Sequence, residues 1–176
     1  NQVLCSLDRL GTDRIDLYQH HRPDPDTDFE DSVHAFAEMK DAGQIAHVGL
    51  SNVTVEQLET AMEIVDVATV QNRYNVGHRD DEDVLRACED HGVGFIPWGP
   101  MYAVQEGESA AVTEEVAGRR DATPQQVALA WLLDHSDVTL PIPGTSSVDH
   151  LESNLAAADL SLTDEDRAAL DAVDPQ

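Results

Sequence analysis

Five short runs of near-continuous apolar and β-branched residues punctuate the chain, at 15–21, 46–51, 67–74, 94–98 and 138–143. They do not alternate strictly between apolar and polar. That pattern suits strands covered on both faces, as in a parallel sheet. Helical periodicity fills the gaps. Phe29, Val33, Phe36 and Met39 share one face of a helix over 28–41 that stops at Gly43. Thr54 with Gln57, and Thr123 with Pro124 and Gln126, read as capping boxes that open helices. Val84, Leu85 and Cys88 mark a helix over 81–91 ending at Gly92. Ser147 opens a helix through Ala157, and Thr163 opens a last one behind Asp164, Glu165 and Asp166. The polar stretch 107–122 reads as a surface loop with one weak helix. Residues 1–10 read as the end of an amphipathic helix, as if the chain begins part-way through something.

Strand and helix alternation implies right-handed βαβ units. An open doubly wound sheet and an eightfold barrel both fit. No GxGxxG follows any strand, which counts against a dinucleotide-binding doubly wound sheet. Residues 1–176 are expected to form one domain, with no linker.

The strand ends carry the chemistry. The first ends at His20 and His21, the second in GLSN to Asn52, the third in VQNRYN, the fourth in PWGP, and the fifth in PIPGTSS before a helix. In parallel strands these polar and aromatic groups converge on one rim. Gly144, Thr145, Ser146 and Ser147 run directly into a helix N-terminus, where unpaired backbone N–H groups favour an anion. The simpler reading of Ser147 is a helix cap. Successive strand residues face opposite sides, so His20 and His21 cannot both address one metal ion.

Charge narrows the partners. The chain holds 35 acidic residues against 10 basic ones, a formal net charge of -25, and Lys40 is its only lysine. Such a surface argues against nucleic acid and against an anionic membrane. It repels itself in dilute buffer and is screened at molar salt, a bias that resembles proteins of salt-in halophiles. Cys5 and Cys88 match no metal-ligand spacing, no apolar run reaches membrane length, and a cytoplasmic location is expected.

The motifs DLYQHHRPDP, GQIAHVGLSN, VQNRYN, PWGP, TPQQVALAWLL and IPGTSSVDHLESN, in this order, closely resemble aldo-keto reductases across essentially the whole chain. The resemblance implies a (β/α)8 TIM-barrel type α/β fold. It is partial here: about five parallel strands with helices, the first three strands missing. It implies hydride transfer between a nicotinamide cofactor and an aldehyde or ketone. His21 matches the family's catalytic histidine, facing inward, and His20 a position usually apolar, facing outward. Ser51, Asn52 and Gln71 match the groups that bind the nicotinamide carboxamide. Trp98 matches the aromatic residue that stacks on the nicotinamide ring. Gly99, Pro100 and Met101 fall in the loop that clasps the pyrophosphate. Gly144, Thr145, Ser146 and Ser147 match the loop for the adenosine 2′-phosphate, and Asn154 matches an adenine contact. His150 stands where many members have Arg, Gly144 where many have Lys, and Ser153 where an acidic residue is usual. NADP(H) is therefore expected, with NAD(H) use left open. Arg73 reads as a surface or structural residue.

The resemblance also marks what these residues lack. The family's Asp, Tyr and Lys come from its first three strands, and neither Tyr18 nor Lys40 matches them. Five strands cannot close an eight-strand barrel. Another chain or a preceding segment is expected to complete it. The 176 residues alone are expected to show no carbonyl reduction. The alternative is a truncated or regulatory module that binds a nicotinamide cofactor without catalysis.

Overall fold

A computed structural model describes residues 2–105 and 107–175; Asn1 and Gln176, which the expected span 1–176 includes, lie outside them. The described chain divides into two compact units, 1–71 and 72–176.

The first unit is a three-stranded parallel sheet with helices. Its elements are α1 (Gln2–Leu10), β1 (Ile15–His20), α2 (Phe29–Asp41), β2 (Ile45–Ser51), α3 (Val55–Ile64) and β3 (Val67–Gln71). β1 pairs in parallel with β2, and β2 with β3. The core consists of Val48 and Leu50 of β2, Val70 of β3, Val33 of α2, and Leu58 and Ala61 of α3, each no more than 1 % exposed. Fully burying an aliphatic side chain of this size contributes about 1.5–3 kcal/mol. Asp28 caps α2 by accepting from the Glu30 and Asp31 N–H groups, and the capping box of Thr54 and Gln57 forms as the sequence predicts. The free side of β1 borders an open depression of about 580 Å³, and Leu17 on that strand remains exposed.

The second unit holds α4 (Glu82–His91), β4 (Gly94–Phe95), α5 (Gly107–Arg120), α6 (Pro124–His135), α7 (Val148–Ala156) and α8 (Asp164–Asp171). α6 is apolar all round and buried from Val127 to Leu132, with α5 and α7 against it. Trp131 stacks on Tyr74 with ring centroids 5.9 Å apart, and its indole N–H donates to Asp171 at 2.9 Å. The Tyr74 hydroxyl donates to Glu82 and lies 2.9 Å from His135 Nε2. Burial first, then the Glu82 carboxylate, push the phenol well above its usual range, so it stays protonated. Burial likewise pushes the Cys88 thiol up to about 12.

Three expectations are corrected. The stretch 107–122 is not a loop: α5 runs fourteen residues and buries Ser109, Thr113, Val116 and Ala117. Small and polar residues make that face weakly amphipathic, which hides it from a periodicity count. The fifth strand does not form: the described residues hold four strands rather than five. Around 138–143, one parallel bridge joins Phe95 to Thr139, through the Phe95 N–H to Val138 O and the Leu140 N–H to Phe95 O, both 2.8 Å. Pro141 and Pro143 then remove the donors a longer ladder needs. The third strand is also shorter than expected. It ends at Gln71, and a single bridge joins Arg73 to Trp98 beyond it.

The tie between α5 and α8 is ionic. Asp166 is 1 % exposed and accepts from the Thr163 N–H at 3.0 Å and the Thr163 hydroxyl at 2.7 Å. It also pairs with Arg120, and with Arg119 at 3.2 Å. Burial alone would raise its carboxyl, but the Thr163 and Arg120 hydrogen bonds outweigh that and hold it below the usual range. A depressed carboxyl stabilises the fold fully above its unfolded value of about 3.9, and that contribution fades as pH falls through the folded value. Asp166→Asn is therefore expected to cost about 2 kcal/mol in urea unfolding at pH 7. The gap between variant and parent should close below about pH 4.

Candidate functional site

Strand register decides which side chains share a face. Gln19 of β1 lies beside Gly49 of β2, and Gly49 beside Thr69 of β3. One step of two residues along, His21, Ser51 and Gln71 continue the same face. Gly49 is there because nothing larger fits. A Cβ on it would sit 2.6 Å from Thr69 Oγ1 and 2.7 Å from Gln19 Cγ. Across that gap Gln19 Nε2 donates to Thr69 Oγ1 at 3.4 Å. Period-two counting back from His21 and Gln71 would have found this polar layer.

Beyond the strand ends the backbone turns sharply at Asn52, whose φ is 57°. Asn tolerates this left-handed corner better than most residues with a Cβ. The corner is tied on both sides. The Asn52 N–H donates to Gln71 O at 3.1 Å, and Asn52 Nδ2 donates to His21 O and to Ser51 Oγ, both at 3.0 Å. Ser51, 2 % exposed, donates its hydroxyl to Gln71 O at 2.6 Å. The backbone carbonyls of His21 and Gln71 and the side chains of Ser51 and Asn52, at the ends of three strands, thus meet in one hydrogen-bonded cluster.

His20 faces the other way, as alternation requires. Its ring packs edge-on against Phe36 at 5.5 Å and near Phe29 at 6.1 Å, both on α2. Burial, and then the charge of His21, lower its pKa, so the ring behaves as a neutral, largely apolar group.

The second unit gathers a different set. Met101, Gly144, Thr145, His150 and Asn154 line a cleft of about 280 Å³, together with Thr123, Gln125 and Ser153. Sequence reading did not single out Thr123 and Gln125 as site residues, because they belong to the start of another helix. Gln126 joins the two helices by donating to Ser153 O at 3.0 Å. The buried Asn154 Nδ2 has no hydrogen-bond partner among the described residues, and it belongs to a side chain on the cleft wall. Ser147 takes its simpler role: its hydroxyl caps α7 by accepting from the His150 N–H at 3.4 Å. Neither Ser146 nor Ser147 lines the cleft.

Trp98, Gly99 and Pro100 precede Met101 in a fixed turn. Gly99 has φ 68°, its carbonyl accepts from Asn75 Nδ2 at 3.0 Å, and a Cβ on it would meet the Tyr102 ring at 2.8 Å. Trp98 meets Tyr102 edge to face, with centroids 6.5 Å apart.

The cleft fits an acceptor-rich ligand. The Thr145 hydroxyl, the His150 imidazole and the Asn154 amide can all donate, and no carboxylate lines it. The hydrogen-bonded corner fits an amide. Asn52 Nδ2 is committed to both neighbours, His21 and Ser51.

The model of the aldo/keto reductase family matches residues 1–175. The chain is 44% identical over 170 residues to an uncharacterized oxidoreductase of Schizosaccharomyces pombe, covering 97% of this chain and 56% of that protein. It is 39% identical over 175 residues to pyridoxine 4-dehydrogenase of Escherichia coli, covering 96% and 60%. A thermostable aldo-keto reductase solved with the inhibitor epalrestat superposes with a TM-score of 0.89 at 33% identity, over 96% of this chain and 63% of that one. An aldo/keto reductase of Klebsiella pneumoniae, solved with NADP and acetate, gives 0.84 at 29%, over 96% and 62%. The chain thus spans less than two thirds of the length of each relative.

The corner at Asn52 yields a paired test. Asn52→Gly keeps the backbone geometry and removes the amide ties, whereas Asn52→Ala loses both. In urea unfolding the Ala variant should be about 1 kcal/mol less stable than the Gly variant. Equal stabilities would show that the left-handed backbone carries no strain.

Proposed function

The chain belongs to the aldo/keto reductase family, and from that premise we propose that it binds NADP(H) and serves the reduction of aldehydes or ketones to alcohols. One observation carries the cofactor assignment: the buried Asn154 Nδ2, without a partner among the described residues, on a cleft that Thr145 and His150 also line. That donor set suits the adenine and 2′-phosphate end of the dinucleotide. Ser51, Asn52 and Gln71 would hold the carboxamide, Trp98 would stack on the nicotinamide ring, and Gly99, Pro100 and Met101 would close on the pyrophosphate. The NADP in the Klebsiella relative supports the choice of nucleotide.

The bound nucleotide supplies the hydride. The chain's own part is to fix where that hydride can go. Asn52 holds the His21 carbonyl at 3.0 Å, which sets the backbone from which the imidazole projects. An imidazole N–H there donates to a substrate carbonyl oxygen, orients it, and stabilises the charge that gathers on it. Ser51 and Asn52 restrict the carboxamide to one orientation and so select one face of the ring.

A proton must also reach the alkoxide, and the family's Tyr, Lys and Asp that deliver it match no residue here. We therefore read these residues as the cofactor-holding part of a larger barrel, completed by a further segment or another chain. Within the first unit, the unpaired side of β1 and the exposed Leu4, Leu10 and Leu17 favour such a partner. Within the second, Leu140, Ile142, Leu151 and Leu155 are exposed and favour it independently. If no partner completes the barrel, a cofactor-binding module without turnover is the second reading. The acidic surface supports a protein suited to high salt, and a cytoplasmic site is proposed with it.

The cleft also sets nucleotide choice. His150 is its one side chain able to carry positive charge, where Arg would be planar and permanently charged. His150→Arg should raise the affinity ratio of NADPH over NADH by about tenfold, read by nucleotide fluorescence at fixed salt. An unchanged ratio would remove the 2′-phosphate from this cleft, and absence of NADPH binding by the parent would refute the cofactor assignment.

A further inference from the structure

Arg73 is anomalous among the arginines of its unit. Arg86 pairs with Glu82 and Glu89, Arg119 and Arg120 with Asp166, and Arg167 with Asp134 and Asp164. Arg79 donates to the carbonyls of Asp171 and Val173. Arg73 alone has no such partner among the described residues. It makes no ion pair or hydrogen bond there, and its Nε is buried with none. This occurs in a chain with 35 carboxylate side chains. Leaving the buried Nε of Arg73 unmatched is costly, unless an acceptor arrives from outside the protein.

The surroundings specify where. Arg73 and Trp98 are register partners across a parallel bridge, so their side chains leave the same side of the ribbon. The guanidinium carbon lies 5.8 Å from the Trp98 ring centroid and 5.9 Å from that of Tyr102. Two aromatic faces therefore hold the cation by its π contacts and leave its N–H fork for another group. Tyr102, half exposed, packs on Gly99 at a distance no Cβ would allow.

We propose that Arg73 is an oxyanion-binding residue: its guanidinium takes a phosphate or carboxylate oxygen of a ligand whose ring lies on Trp98. This rests on the nicotinamide reading of Trp98 given above. The oxyanion has two sources, the diphosphate of the dinucleotide or an acidic group on the carbonyl substrate. The Gly99–Tyr102 turn, next to the ring, favours the diphosphate. The fork geometry matches either one bidentately.

The test is titration of the whole chain, and of its Arg73→Met and Arg73→Lys variants, with NADPH, inorganic pyrophosphate and acetate. Nucleotide and tryptophan fluorescence report binding at fixed salt, and near-UV circular dichroism reports folding. We expect Arg73→Met to weaken NADPH and pyrophosphate by about tenfold to a hundredfold, with Arg73→Lys intermediate. Loss confined to acetate would support the oxyanion site and assign it to the substrate. Parental affinities for all three in folded Arg73→Met would overturn the proposal while leaving the cofactor reading intact. Should Arg73→Met not fold, Arg73→Lys decides: it keeps the charge and loses the fork, so parental binding overturns the proposal. No NADPH binding by the parent chain would overturn the cofactor reading and this proposal with it. Parental pyrophosphate binding in that case would still assign an oxyanion site to Arg73 if the variants lose it.

Discussion

The parallel register of three strands, locked by Asn52, is the constraint on which the site of the first unit depends. β1, β2 and β3 each end at the same level, and the chain leaves β2 through a left-handed corner. Asn52 then reaches back to His21 on one neighbour and across to Gln71 on the other. A slip of one residue in either pairing would send His21, Ser51 or Gln71 to the helix-covered face. His20 shows what lies there: an imidazole held neutral between Phe29 and Phe36. Gly49 guards the same register from below, because any side chain would force Gln19 and Thr69 apart.

Much of this was legible in the sequence, and for local reasons. Capping boxes at Thr54, Thr123 and Thr163 define helix starts through bonds within four residues, so the letters and the geometry agree. That His20 and His21 face opposite sides is expected from strand alternation, and the packing of His20 on α2 agrees with it. What the sequence hid depends on distant partners. α5 carries a face of Ser, Thr and Ala that counts as polar until α6 and α8 cover it. The stretch after Asp137 looks like a strand by composition, yet its prolines limit it to one bridge. Arg73 reads as a surface residue in the sequence because its lack of an oxygen partner is visible only once the other arginines of its unit have been traced to theirs.

Charge gives the second unit its character. Its arginines, apart from Arg73, are traced to oxygen partners, and Arg119, Arg120 and Arg167 join helices, most firmly at the buried Asp166. The cleft around Asn154 is left to neutral donors and one imidazole. On the proposed reading this is a phosphate site served without a fixed cation, in a protein whose sequence carries a large negative charge. Molar salt shortens the reach of that repulsion to about 3 Å, so hydrogen bonds can serve where long-range attraction would otherwise be needed.

The central claim is that the amides at the strand ends are a nicotinamide seat. A crystal structure of the chain grown with NADPH tests it most directly. The account predicts the carboxamide bonded to the side chains of Ser51, Asn52 and Gln71, with the adenine end against Asn154. Nucleotide density at any other place, with none of those four side chains bonded to it, would contradict it.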